Sequence, residues 1–143
     1  MSIYMNNGAT TWPKPESVAR AMYDFLTGGG ANVARGSASK RDLKSMDTVL
    51  SCREELVSLF GGWDDDPRYA TFTANVTESI NVVLKGFLKP GMTVLTSSME
   101  HNAVLRPLRR METRGVKVEI APCDEEGFLH PDIFAEALSR TRP

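Results

Sequence analysis

Asn75-Val76-Thr77-Glu78 lies where a β-forming run gives way to a helical pattern, a junction at which a short peptide can hold an anion. The first amides of a helix lack partners within it, and its dipole favours negative charge there by ~0.3–1 kcal/mol, up to ~2 where partly buried. Thr77 adds a hydroxyl donor at that end, and Asn75 tolerates turn conformations that most residues resist. The same residues also suit a plain helix cap, with Glu78 favourably placed in the first turn. On the tetrapeptide alone, cap and ligand site both stay open.

A second junction follows at Thr96-Ser97-Ser98-Met99-Glu100-His101-Asn102, with His101 just past another β-forming run. A histidine there can carry chemistry or serve as a hydrogen-bonded loop residue. Glu100 is its neighbour in sequence, but adjacent residues need not face each other. In open parallel sheets, ligands sit beyond the carboxyl ends of the strands, where helices begin, which puts both junctions on one side of such a sheet. His130, before Pro131, has no companion in the sequence and reads as a surface or capping residue. Asp64-Asp65-Asp66-Pro67 reads as a solvated turn, since consecutive acids rarely converge on one ion.

The elements that must position these residues are legible from periodicity. Val18, Ala21, Met22, Phe25 and Leu26 have the spacing of one helical face, closed by Gly28-Gly29-Gly30. A shaped loop over 31–40 leads to a second helix, with Leu43, Met46, Val49, Leu50, Leu56, Val57 and Phe60 along a stripe that Gly61-Gly62 ends. Beyond it, β-forming runs around 69–73, 93–96 and 116–120 alternate with helical patterns around 80–88, 105–114 and from Pro131 onward. Pro107 is expected in the first turn of its helix, where no amide donor is needed. The order helix-helix, then βαβαβα, predicts an α/β fold with parallel strands and right-handed crossovers. We divide it at 1–66, two helices and the shaped loop, and 67–143, the sheet-bearing part of a single incomplete domain.

The 143 residues are 41% hydrophobic and 24% charged, ordinary values for a soluble globular protein. A formal net charge of -1 argues against a nucleic-acid or anionic-membrane surface. No apolar run approaches the ~20 residues of a membrane span, and no secretory signal opens the sequence, so the expected location is cytoplasmic. The two cysteines, Cys52 and Cys123, are far apart and form no metal or disulfide pattern. Cys52 is expected to pack within its helix, and Cys123 to be more exposed.

Three segments carry a family resemblance. Tyr4-Met5-Asn6-Asn7-Gly8-Ala9-Thr10-Thr11 resembles the Y-L-D-N-A-A-T-T signature of cysteine desulfurases and related class V aminotransferase-fold enzymes. Phe72 to Asn81 resembles their phosphate-binding T-x-(G/N)-A-T-E-x-x-N segment, and Glu100-His101-Asn102-Ala103-Val104 their E-H-N-x-V segment. The three fall in family order, and the similarity extends through Pro122 to Gly127.

The resemblance implies the start of the large domain of a fold-type-I enzyme that uses pyridoxal 5'-phosphate (PLP). It implies that Asn75, Val76 and Thr77 bind the cofactor phosphate, and that His101 stacks on the cofactor ring and helps move protons. Gly8 and Ala9 would lie near the substrate carboxylate, with Asn32 and Arg35 near the active site at a dimer interface. Ala31 to Gly36 matches the family's A-N-x-x-R-G stretch, but Ala34, Ser37, Ala38 and Ser39 stand where relatives often carry a histidine. The Schiff-base lysine, the carboxylate facing the pyridine nitrogen and the sulfur-accepting cysteine are expected downstream of Pro143, because Lys85, Lys89, Lys117, Cys52 and Cys123 match none of those contexts. The expected function is the N-terminal part of a homodimeric cysteine desulfurase-like enzyme acting on a small amino acid, inactive as this stretch alone. The alternatives are a non-catalytic module that binds an anion or a protein, or another class V or selenocysteine lyase-like activity.

Overall fold

The computed structural model describes residues 3–33 and 39–143. The chain forms two compact units, Met1–Thr71 and Phe72–Pro143.

The first unit contains α1 (Glu16–Gly28), α2 (Lys40–Phe60) and two 3-10 turns, Trp63–Asp65 and Pro67–Tyr69. The Ser39 hydroxyl oxygen caps α2 by accepting the Asp42 amide, and Gly61, at φ 62°, ends it in the left-handed region that glycine enters freely. Ser45 is fully buried; its hydroxyl accepts the Ala31 amide at 3.0 Å and donates to the Arg41 carbonyl, tying the interhelical loop to α2. Both helices form as the periodicity predicts, yet the stripe of α1 is uncovered: Val18, Met22 and Leu26 are exposed. Leu43, Met46 and Leu50 of α2 are exposed as well, and Val57 is its buried apolar residue. Cys52 is exposed rather than packed. Asp66 accepts both the backbone amide and the guanidinium of Arg68 and so caps the second 3-10 turn; those donors hold its carboxyl below the usual range.

The second unit runs α3 (Val76–Phe87), β1 (Thr93–Ser97), α4 (Asn102–Glu112), β2 (Lys117–Ala121) and α5 (Pro131–Thr141). β1 and β2 pair in parallel, with Thr93 opposite Lys117 and Ser97 opposite Ala121. Gly91 and Gly115, at φ 89° and 88°, make the turns that feed the two strands, and the Gly91 amide donates to the Gly115 carbonyl at 2.8 Å. Leu88, Leu108, Met111 and Val116 form the buried core, flanked by Leu84, Val94, Val104 and Val118. α3 packs on α4, α4 on β2, and α5 on both strands. The fold is α/β, with two parallel strands joined by a helix and flanked by others.

Two expectations change here. The run 69–73 forms no strand: Tyr69 is taken up in a 3-10 turn, and the Thr73 hydroxyl turns to the Asn75 carbonyl and Ser79. β propensity forms a strand only against a partner backbone, and among the described residues the ladder is confined to β1 and β2. Pro107 lies in the interior of α4 as its sixth residue, since His101 caps the helix three residues earlier than its apolar pattern begins. Its ring removes the hydrogen bond that the Ala103 carbonyl would otherwise receive.

Leu108 is 1% exposed at the centre of this core. Leu108→Ala should destabilise the second unit by about 2–4 kcal/mol, the usual cost of a buried leucine cavity, read as a lower urea midpoint at an unchanged slope.

Candidate functional site

At the start of α3, Asn75 is the N-cap, and its side-chain oxygen accepts the Glu78 amide at 2.9 Å. Glu78 answers by accepting the Ala74 amide at 2.8 Å, so the turn is locked from both sides. The Asn75 backbone is extended, at φ -168° and ψ 167°, which any residue adopts. Its type is therefore required for the capping oxygen and not for an unusual turn. The Asn75 carbonyl accepts the Ser79 amide and the Thr73 hydroxyl. These bonds use the third amide of the helix and leave the Val76 and Thr77 amides, with the exposed Thr77 hydroxyl, without an acceptor among the described residues.

The second junction is built in the same way. His101 caps α4, its Nδ1 accepting the Ala103 amide at 3.0 Å. An amide donates only to a nitrogen lone pair, so the neutral ring carries its proton on Nε2. Glu100 accepts the Ser97 hydroxyl at 2.9 Å, which engages that carboxylate with β1. Thr77 and His101 line one cavity of about 420 Å³ between α3 and α4, together with Asn81, Lys85, Arg106 and Arg110. Lys85, Arg106 and Arg110 are additional to the site residues expected from the sequence. Their signal was the four-residue spacing that puts Asn81 and Lys85 in line with Thr77, and Arg106 and Arg110 in line with Asn102.

The remaining expected residues are in the first unit. Gly8 and Ala9 lie in an exposed turn closed by the Ala9 amide on the Asn6 carbonyl and by the Tyr4 hydroxyl, which reaches the carbonyls of Asn6 and Thr10. Asn32 is exposed, beside the loop residue held by Ser45. Arg35 lies outside the described residues.

His130 has a companion that sequence distance concealed. Its Nε2 is 2.9 Å from the Asp124 carboxylate, and its ring meets Phe128 edge-on. Asp124 also accepts the Phe128 and Glu126 amides, and the Phe128 amide chiefly holds its carboxyl below the ordinary range, with His130 and Glu126 adding to it.

The class is defined first by architecture: paired helix N-termini beyond one end of a parallel sheet, in a partial fold-type-I domain. A family profile described as Aminotransferase class-V matches residues 3–142, and the chain belongs to that family. It is 34% identical over 143 residues to the cysteine desulfurase IscS of Psychromonas ingrahamii, covering 96% of this chain and 34% of that protein. A probable cysteine desulfurase of Methanothermobacter thermautotrophicus is 30% identical, with 97% and 34% covered. The apo structure of a cysteine desulfurase from Thermococcus onnurineus superposes with a TM-score of 0.80 at 28% identity, covering 97% of this chain and 34% of that one. The chain thus spans about a third of the length of the relatives it matches.

Two measurements check the local geometry. Asn75→Ala should cost about 1 kcal/mol of stability, seen in thermal melts, whereas Asn75→Asp should be nearly neutral because it keeps the accepting oxygen. Asp124, with its folded pKa depressed, stabilises the 124–130 loop above the ordinary carboxylate pKa; that contribution is lost as pH falls through the folded value. The protection of the Phe128 amide from exchange, relative to its intrinsic rate at the same pH, should therefore fall in acid, and Asp124→Asn should flatten that pH dependence.

Proposed function

We propose that this chain is the N-terminal part of a PLP-dependent enzyme of the cysteine desulfurase type, acting on L-cysteine or a related small amino acid. The observation that carries the reading is the pair of unclaimed amides at Val76 and Thr77, with Thr77 lining the same cavity as His101. Two amides, a hydroxyl and a helix dipole suit a phosphate, and the ring of His101 stands at the other helix start. Val76 and Thr77 bind the phosphate; Asn75, through the Glu78 amide, holds that turn in shape. His101, fixed by the Ala103 amide, keeps a proton on Nε2 for hydrogen bonding or transfer and leaves its faces free to stack. PLP, when bound, supplies the electron sink that lets a bond at an amino-acid carbon break. Gly8, Ala9, Asn32 and Arg35 are proposed on the substrate side from the family resemblance. Among the described residues, no helix is long and apolar enough to cross a membrane. A cytoplasmic homodimer is part of the proposal.

Held by these groups alone, PLP should bind in the roughly millimolar range. Nitrogen-15 chemical shifts of the Val76 and Thr77 amides should move on titration with PLP and not with pyridoxal, which lacks the phosphate. Thr77→Val should weaken that response about threefold to tenfold, the loss of one charge-assisted hydrogen bond. Equal responses to pyridoxal and PLP would remove the phosphate assignment.

A further inference from the structure

The cavity between α3 and α4 is longer than one phosphate. Thr77, Asn81 and Lys85 line it at four-residue intervals along α3, as do Asn102, Arg106 and Arg110 along α4. At 1.5 Å per residue each row runs about 12 Å from the amide end. Lys85 and Arg110 are exposed at the far end and Arg106 one turn short of it, and none of the three has a carboxylate partner among the described residues. Arg109, on the same helix and off the cavity, is paired with Glu112 at 2.9 Å. α4 therefore neutralises one arginine and leaves the two on the groove unpaired. Like charges four residues apart destabilise an exposed helix. The packing of α4 does not offset this cost through them, since the residues it buries are Ala103, Pro107, Leu108 and Met111.

We propose that this end of the groove docks an acidic segment of a partner protein. Its carboxylates meet Lys85, Arg106 and Arg110, and an apolar side chain rests on Pro107, which contributes to the lining between the two arginines. Charge complementarity selects that occupant. The chain as a whole carries -1, so these cations are a local feature and not part of a basic surface of the kind nucleic acid requires. The stretch from Arg106 to Arg110, about 6 Å along α4, takes about two extended residues at ~3.3 Å each. Long flexible cations on helix faces suit carboxylates spaced along a peptide, whereas a single small anion is served by the backbone amides at the opposite end. The docking end is separate from the Val76 and Thr77 amides, so either assignment can fail without the other.

Fluorescence anisotropy with a fluorescein-labelled hexaglutamate peptide tests the proposal on the 143-residue chain. Saturable binding is expected at low ionic strength, weakening with added salt, and about tenfold weaker in Arg106→Gln/Arg110→Gln. Lys85→Ala, on the other helix, should lose about threefold and provides a second reading should the α4 variant fail to fold. Arg109→Gln should bind as the parent does, and inorganic phosphate at the peptide's concentration should not displace it. Absent saturable binding, binding unaffected in both the α4 and Lys85 variants, equal loss in Arg109→Gln, or displacement by phosphate would each overturn the docking assignment.

Discussion

Parallel pairing of β1 and β2 imposes a return path. The carboxyl end of one strand must be joined to the amino end of the next, so the chain between them crosses back over the sheet, here as α4. That crossing buries Leu108 and Met111 against Val116 and Leu88, and it fixes where α4 begins. Because Ser97 stands opposite Ala121, the two strands finish level, and the Ser98 hydroxyl can receive the Cys123 amide across the gap at 2.9 Å. His101 occupies its place because the strand before it ends there. α3, packed on α4, brings Thr77 to the same cavity.

Both candidate junctions solve one problem, the orphaned amides of a helix start, in different ways. α3 uses Asn75 and Glu78 to satisfy the amides of Glu78 and Ala74 and leaves two others open. α4 spends the lone pair of a histidine on its second amide, which settles the tautomer of that ring. Cap and ligand site, which the tetrapeptide alone could not separate, are compatible: the cap shapes the turn whose remaining donors are available.

Much of this was legible in the sequence. The apolar spacing located the five α-helices found among the described residues, and the three family-like segments all lie within the stretch that the class-V aminotransferase profile matches. What sequence periodicity misplaced depends on partners it cannot represent. The β-forming run at 69–73 lacks a ladder, and the stripe of α1, though helical, lies exposed. The start of α4 was read three residues late because a capping histidine, not an apolar residue, defines it. The Asp124–His130 contact and the cations of the groove escaped notice because each joins residues that are distant in sequence or on different helices.

The proline inside α4 has a mechanical consequence. With no amide at position 107, the hydrogen-bonded ladder of the helix has a missing rung between its first turn and its body. The body is anchored by Leu108 and Met111, and the first turn by the buried Ala103, by Val104 against the core and by the His101 ring at its outer end. A load applied at His101 therefore reaches the body of the helix through one rung fewer and has to be carried by the side-chain packing of Ala103 and Val104 instead.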